Sequence, residues 1–260
     1  MILEPGKKVY FISDIHLGMY PVEGSRQREK ELVRWLESIR HETAMLFLLG
    51  DTFDFWYEYR KVVPKGFVRF LAQMASFTES GIPVHIFSGN HDVWMFDYLP
   101  RETGMVVHHE PMELEINGKK FMIGHGDGLG PGDISYKMMK AVFRSKLMQR
   151  LFASWLHPNF ALSLGQAWSK SRRLKKGPTR PELPPGQDQL FRFAVQTLRS
   201  RHFDYFLFGH YHFPSDQPIG LNSRYINTGE WIQANTYAVF DGQELRLEKA
   251  PASSPVKTLW

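Results

Sequence analysis

The chain has 260 residues, 43% of them apolar, with 32 Lys or Arg against 27 Asp or Glu and no cysteine. Such a chain suits one large domain, or a domain with an insertion, that buries a sizeable core, and it excludes disulfides and thiolate metal sites. No stretch approaches the roughly 18 apolar residues of a membrane span, and Glu4, Lys7 and Lys8 interrupt the apolar run that a secretory leader needs, so neither is expected.

The first predicted strand, Val9 to Ile12, runs into Asp14-Ile15-His16. A helix follows over Arg28 to Ile39, where Leu32, Trp35, Leu36 and Ile39 recur at helical spacing. The next strand, Met45 to Leu49, ends in Gly50-Asp51 with Asp54 three residues on. A second helix covers Phe67 to Phe77, and the strand Val84 to Phe87 leads to Gly89-Asn90-His91-Asp92. These strands are apolar on both parities, as expected for burial on both faces, and their alternation with helices argues for α/β architecture.

Met112 to Ile116 turns through Asn117-Gly118 into Phe121 to Ile123, a hairpin signal, and leads to Gly124-His125-Gly126-Asp127. From about Ile134 to Lys176 the pattern is helical, with Met138, Met139, Val142, Phe143, Leu147, Leu151, Phe152 and Trp155 in a broad stripe. Pro158 breaks it, and a second helix is expected from Phe160 toward Arg173. Between Asp133 and Glu182 lie eleven Lys or Arg and no acidic residue, so this segment carries all the net positive charge. Its Met, Phe and Leu content suits an anionic membrane surface or an acylated phosphorylated substrate better than nucleic acid, which is not expected as a partner. The last motif, Gly209-His210-Tyr211-His212, follows Tyr205 to Phe208, and Tyr237 to Phe240 turns through Asp241-Gly242 into Glu244 to Leu247.

All five polar motifs therefore fall after strands, where α/β sheets gather ligands. Asp14, Asp51, Asn90, His16, His125, His210 and His212 supply O and N donors for two divalent ions, of which Mn, Fe, Zn and Co all suit the set. Asp51 is the natural bridge, holding ions about 3.5–4 Å apart for hydrolysis of a phosphate ester or anhydride. His91 is expected to face a bound phosphoryl group, stabilising charge or protonating the leaving oxygen. Asp54 and Asp92 are read as acceptors orienting His91 and the local backbone, and Asp127 as an acceptor of backbone N–H groups in its Gly-rich turn. His41, His85, His108, His109, His157 and His202 have no patterned neighbours and are read as surface or core residues.

These motifs resemble the calcineurin-like metallophosphoesterase superfamily. The resemblance implies a four-layer αββα sandwich with an inserted helical cap: core over 1–133 and 181–260, cap over 134–180. It implies one ion on Asp14, His16, Asp51 and His212, the other on Asp51, Asn90, His125 and His210, with Asn90, His91 and Asp54 as catalytic residues. Ser13-Asp14-Ile15-His16-Leu17, Phe53 and Trp56 after Gly50-Asp51, His125-Gly126-Asp127-x-Leu129, Asp133 with Tyr136, and Gly229-x-Trp231 are most similar to the UDP-2,3-diacylglucosamine pyrophosphatases of lipid A biosynthesis. That resemblance implies a manganese enzyme at the cytoplasmic face of the inner membrane. It would release UMP from a lipid-linked nucleotide sugar whose acyl chains lie beneath the cap. Asn90, His91, Asp133, Tyr136, Ser169, Arg172 and Arg173 would contact substrate. The chain differs at His91, where that family usually carries Arg, and at Gly130-Pro131-Gly132. Another dinuclear phosphodiesterase or phosphatase, acting on a cyclic nucleotide, nucleic acid or other lipid diphosphate, is the alternative. A non-catalytic scaffold would have eroded ligands, and none is missing here.

Overall fold

The structure, a computed structural model, describes residues 1–132, 134–176 and 188–251, without the side chains of 135, 166 and 172–176. In chain order come β1 (Lys8–Ile12), α1 (Val22–Ile39), β2 (Thr43–Leu48), α2 (Val68–Glu79), β3 (Val84–Phe87), α3 (Tyr98–Thr103) and β4 (Val106–His108). They are followed by β5 (Met112–Ile116), β6 (Lys119–Gly124), α4 (Ile134–Arg144), α5 (Lys146–Trp155), α6 (Pro158–Lys176) and α7 (Gln189–Leu198). The chain then forms β7 (Tyr205–Phe208), β8 (Ser215–Ile219), β9 (Ser223–Asn227), β10 (Thr236–Phe240) and β11 (Leu245–Lys249).

One sheet has the order β11-β10-β1-β2-β3-β4, parallel from β1 to β4, with β10 and β11 added antiparallel. The other runs β5-β6-β7-β9-β8, with β6, β7 and β9 parallel and antiparallel strands at both edges.

The alternation of side chains along each strand builds the layers. Val9 and Phe11 of β1 pack between the sheets against Phe47, Phe121 and Leu207. Their neighbours Tyr10 and Ile12 face outward, onto Leu32, Trp35 and Leu36 of α1 and Phe70 and Met74 of α2. Beyond the second sheet, Met122, Phe206 and Phe208 pack on Leu190 and Ala194 of α7. The result is the expected four-layer αββα arrangement. Phe11 and Phe47 stack at 5.1 Å in its middle. Phe47→Ala is expected to cost about 3–5 kcal/mol, read as a lowered urea midpoint; a loss under about 1 kcal/mol would deny that the two sheets share one core.

Several local features differ from expectation. Asn117 and Gly118 both have positive φ, as a two-residue hairpin turn needs, but Asp241-Gly242 belongs to a longer loop closed by Leu245 pairing with Phe240. There Asp241 Oδ1 accepts from the backbone N–H of Gln243 and Glu244, a side-chain substitute for the tight turn. Residues 134–176 hold three helices rather than two, because Ser145 is extended and separates α4 from α5. Pro158 opens α6 rather than merely ending α5, a position where its missing N–H is harmless.

Candidate metal centre

Asp14, His16, Asp51, His210 and His212 all have positive φ, between 49° and 72°. Left-handed backbone at non-glycine residues costs of order 1–3 kcal/mol each and persists only where the surroundings enforce it. Here it turns each strand end sharply enough to aim neighbouring side chains at one spot. Gly50 permits the crowding, since a Cβ there would lie 2.6 Å from the His125 ring.

Asp14, His16, Asp51 and His212 place one donor atom each within 4.8 Å of one another. His16 Nε2 lies 3.3 Å from His212 Nε2, 3.8 Å from Asp51 Oδ2 and 3.9 Å from Asp14 Oδ1. His212 Nε2 is 3.2 Å from Asp14 Oδ1. Atoms sharing an ion at about 2.0–2.2 Å stand roughly 3–4 Å apart, so this spacing fits a cation. On the other side of Asp51, His125 Nε2 is 3.3 Å from Asp51 Oδ2 and 3.4 Å from Asn90 Oδ1. The His210 ring meets that of His125 edge-on at 5.2 Å.

Hydrogen bonds prepare these donors. His125 Nδ1 donates to the Leu49 carbonyl at 2.9 Å, and His16 Nδ1 donates to Asp54 Oδ1 at 3.2 Å, so each ring turns an Nε2 lone pair inward. Asp14 Oδ2 accepts from Ser13 Oγ at 2.6 Å and the His210 backbone N–H at 2.9 Å. Its Oδ1 is buried without a hydrogen-bond partner, an arrangement a bound cation would relieve.

Electrostatics agree. Burial alone would push the Asp51 carboxyl up, but the imidazoles of His125, His91 and His16 outweigh it and hold it well below the carboxylate range. Asp14 is lowered in the same way, against burial, chiefly by His212. Burial lowers His16 to about 4, keeping it a neutral ligand. The partners of the two carboxylates move oppositely: Asp51 outweighs burial to raise His125, and Asp14 does the same for His212. The cluster therefore attracts positive charge, and metal loading would release protons from it.

The remaining expected residues are distributed less simply. His91 donates its backbone N–H to Asp51 Oδ1 at 2.8 Å and its Nδ1–H to the Asp54 carbonyl at 3.0 Å. The Asp54 carboxylate, read above as orienting His91, instead serves His16 and Ser169, with His91 Nδ1 3.9 Å away, because the main chain of Asp54 already satisfies that ring. Asp92 accepts the N–H of Gly89 at 2.7 Å and of Phe53 at 3.1 Å, as expected of a backbone brace. Burial and then Asp51 push its carboxyl up to about 7. Asp127, expected to brace its own turn, ties α4 to the core, accepting from Tyr136 at 2.7 Å and pairing with Lys140 at 2.6 Å. Tyr136 thus has its hydroxyl on Asp127. Ser169, expected to contact substrate, is fully buried and donates to Asp54 Oδ1 at 3.0 Å. Asp133 and the side chains of Arg172 and Arg173 lie outside the described residues.

Two supports escaped the sequence reading. Arg28 is buried and donates to the carbonyls of Ile15 at 3.2 Å and His16 at 2.9 Å, fixing the first motif. Its signal was a cation on the face of α1 that also carries Leu32, Trp35 and Ile39. Ser13 bridges Asp14 to Thr228 and Gly229, a link between chain-distant loops that no local pattern announces.

Beside Asn90 and His91 opens a cavity of about 580 Å³, walled by Phe55, Trp94, Phe143, Phe152, Leu164 and Trp168. Helices α4, α5 and α6 supply most of its lining. Leu147, grouped with Phe143 in the sequence, is instead exposed and outside the lining, since the break at Ser145 turns the two helices differently.

Comparison with known proteins places the chain. It is 39% identical over 93% of its length, and 97% of the relative's, to UDP-2,3-diacylglucosamine hydrolase of Porphyromonas gingivalis. To the protein of the same name from Aeromonas salmonicida it is 26% identical, over 92% of each chain. Among solved structures, Yfce, a phosphoesterase from E. coli, superposes with a TM-score of 0.46 at 15% identity, covering 94% of this chain and 93% of that one. Residues 7–214 match the family model for calcineurin-like phosphoesterases, and the chain belongs to that family.

Proposed function

We propose that this chain hydrolyses the diphosphate of UDP-2,3-diacylglucosamine, releasing 2,3-diacylglucosamine 1-phosphate and UMP in lipid A biosynthesis. The observation that carries the reading is the apolar cavity of about 580 Å³ directly beside Asn90 and His91. A water-soluble diester has no use for such a room, whereas ten buried methylenes would contribute about 8 kcal/mol of binding. The relatives' substrate, named above, has both the acyl chains and the diphosphate that this juxtaposition requires.

Asp14, His16, Asp51 and His212 would hold one ion, and Asp51, Asn90, His125 and His210 the other. The ions, which we take to be manganese, would lower the pKa of a water and polarise the phosphoryl oxygens. The chain's own residues do the rest. Asp51 Oδ1 and the Asp54 carbonyl fix His91 at its backbone and Nδ1, so its Nε2, when protonated, donates to the phosphoryl or leaving oxygen. Trp94, Phe143 and Trp168 exclude water from the lipid side.

Residues 134–180 act as the cap. Its surface exposes Ile134, Met138, Leu147 and Phe160, with exposed Lys137, Lys146 and Arg150, while Trp155, 85% exposed, stands in the cavity lining. No described helix is long and apolar enough to cross a membrane. That mixture suits docking on an anionic inner-membrane surface from the cytoplasm, where each cation contributes about 1 kcal/mol.

The test is direct assay. With Mn²⁺, purified protein is expected to release UMP from UDP-2,3-diacylglucosamine at low enzyme concentration, with little turnover of bis-p-nitrophenyl phosphate or single-stranded DNA. Preference for either of the latter would overturn the assignment.

A further inference from the structure

Helix α6 approaches the core along a face carrying Ala161, Gly165 and Ser169, four residues apart. All three are buried, whereas Phe160, Leu164 and Trp168 beside them are exposed. Gly165 lies flat on Phe55, and a Cβ there would enter the ring. That close approach brings Ser169, one turn on, to the metal centre. Its hydroxyl donates to Asp54 Oδ1 at 3.0 Å, and the same oxygen accepts from His16 Nδ1 at 3.2 Å. His16 Nε2 in turn belongs to the Asp14, His16, Asp51 and His212 cluster.

Other contacts also anchor the inserted helices. Tyr57 donates to the Gln149 carbonyl, Trp94 to the Phe143 carbonyl, and Lys140 pairs with Asp127. None of these partners is a hydrogen-bond neighbour of a proposed ligand's side chain. The chain Ser169–Asp54–His16 is different, because a single carboxylate oxygen joins a helix of the cap to a ligand ring.

We propose that Ser169 is a positioning residue that couples the seating of α6 to the orientation of His16, so that metal affinity reports whether the cap is docked. This rests on the metal-centre reading above and adds a regulatory link to it. With α6 seated, Ser169 holds Asp54 in the rotamer that accepts from His16 Nδ1, and the Nε2 lone pair stays directed at the ion. With α6 lifted, Asp54 loses the Ser169 donor and the His16 ring is freer to turn. Linkage makes the coupling reciprocal: metal binding tightens the cap, and a cap held closed by lipid tightens the metal.

The experiment is calorimetric titration of the metal-free protein with Mn²⁺, beside Ser169→Ala, Ser169→Thr, Asp54→Asn and Gly165→Leu. Loss of an outer partner of a ligating histidine typically weakens metal binding about 10–100-fold. Ser169→Ala is expected to show that weakening for one ion, Ser169→Thr to recover most of it, and the Ser169→Ala, Asp54→Asn pair to be no worse than Asp54→Asn alone. Gly165→Leu should weaken binding similarly with Ser169 intact. Because that variant can damage folding, amide hydrogen exchange supplies a measurement without it. Mn²⁺ should slow exchange over 158–171 in the unsubstituted protein and much less in Ser169→Ala. Unchanged Mn²⁺ affinity in Ser169→Ala, with only KM for the lipid substrate raised, would make Ser169 a substrate contact and overturn the proposal. Failure of the unsubstituted protein to bind Mn²⁺ would overturn the metal-centre reading instead, and the coupling with it.

Discussion

Asp51→Ala is expected to lower turnover by at least about 10³-fold and to remove most of the bound metal. The carboxylate is buried between the two donor groups: Oδ2 is 3.3 Å from His125 Nε2 and 3.8 Å from His16 Nε2, while Oδ1 takes the His91 N–H. Removing it deletes the shared negative charge and frees His91 as well. Asp51 also sits at a φ of 49°, where alanine is strained, so a stability change alone proves little. Asp51→Asn serves as the control, since it keeps shape and the acceptor for His91 but not the charge. Metal content by mass spectrometry, measured with turnover on the same samples, decides the matter. An Asp51→Ala protein that keeps stoichiometric metal and full activity would remove Asp51 from the bridge.

The second large effect concerns the cavity. Phe143→Glu is expected to reduce turnover of the acylated substrate about 10²–10³-fold, because an unpaired carboxylate in an apolar wall costs several kcal/mol. Phe143 packs 5.2 Å from Trp94 and lines the space beside His91. Hydrolysis of a small diester by the same protein should change only a few-fold, since the metal ligands stay in place. Leu147→Glu is the informative contrast, being exposed outside that wall. Its loss should show as weaker partition onto anionic vesicles rather than as a comparable drop on detergent-dispersed substrate. Equal damage to both substrates by Phe143→Glu would mean that α4, α5 and α6 only hold the fold together.

The strands feeding the site were legible because they are short, apolar on both parities and end in polar motifs. Helices α1 and α2 were legible from their apolar spacing, although their ends were not. Residues 22–27 of α1 carry little apolar periodicity, and α2 starts at the left-handed Phe67 with its N–H groups accepted by Glu29 from another helix. A cap supplied from forty residues away leaves no local trace. Strands β4, β8 and β9 and helices α3 and α7 were not recognised; β4 and α3 span too few residues, and β8 and β9 mix polar with apolar residues.

The donor chemistry is intrinsic to the amino-acid order: each carboxylate, amide and imidazole follows a buried strand, and buried parallel strands must deliver their ends to one edge. Which donor meets which was settled by contacts between segments. The Asp54 carboxylate serves His16 while its carbonyl holds His91, Asp127 anchors α4, and Ser169 is drawn into the core. Those pairings depend on backbone turns with positive φ and on how closely α6 approaches Phe55. Distances of this kind arise only when layers pack, because a hydrogen bond is decided over tenths of an ångström and residue type carries no such coordinate.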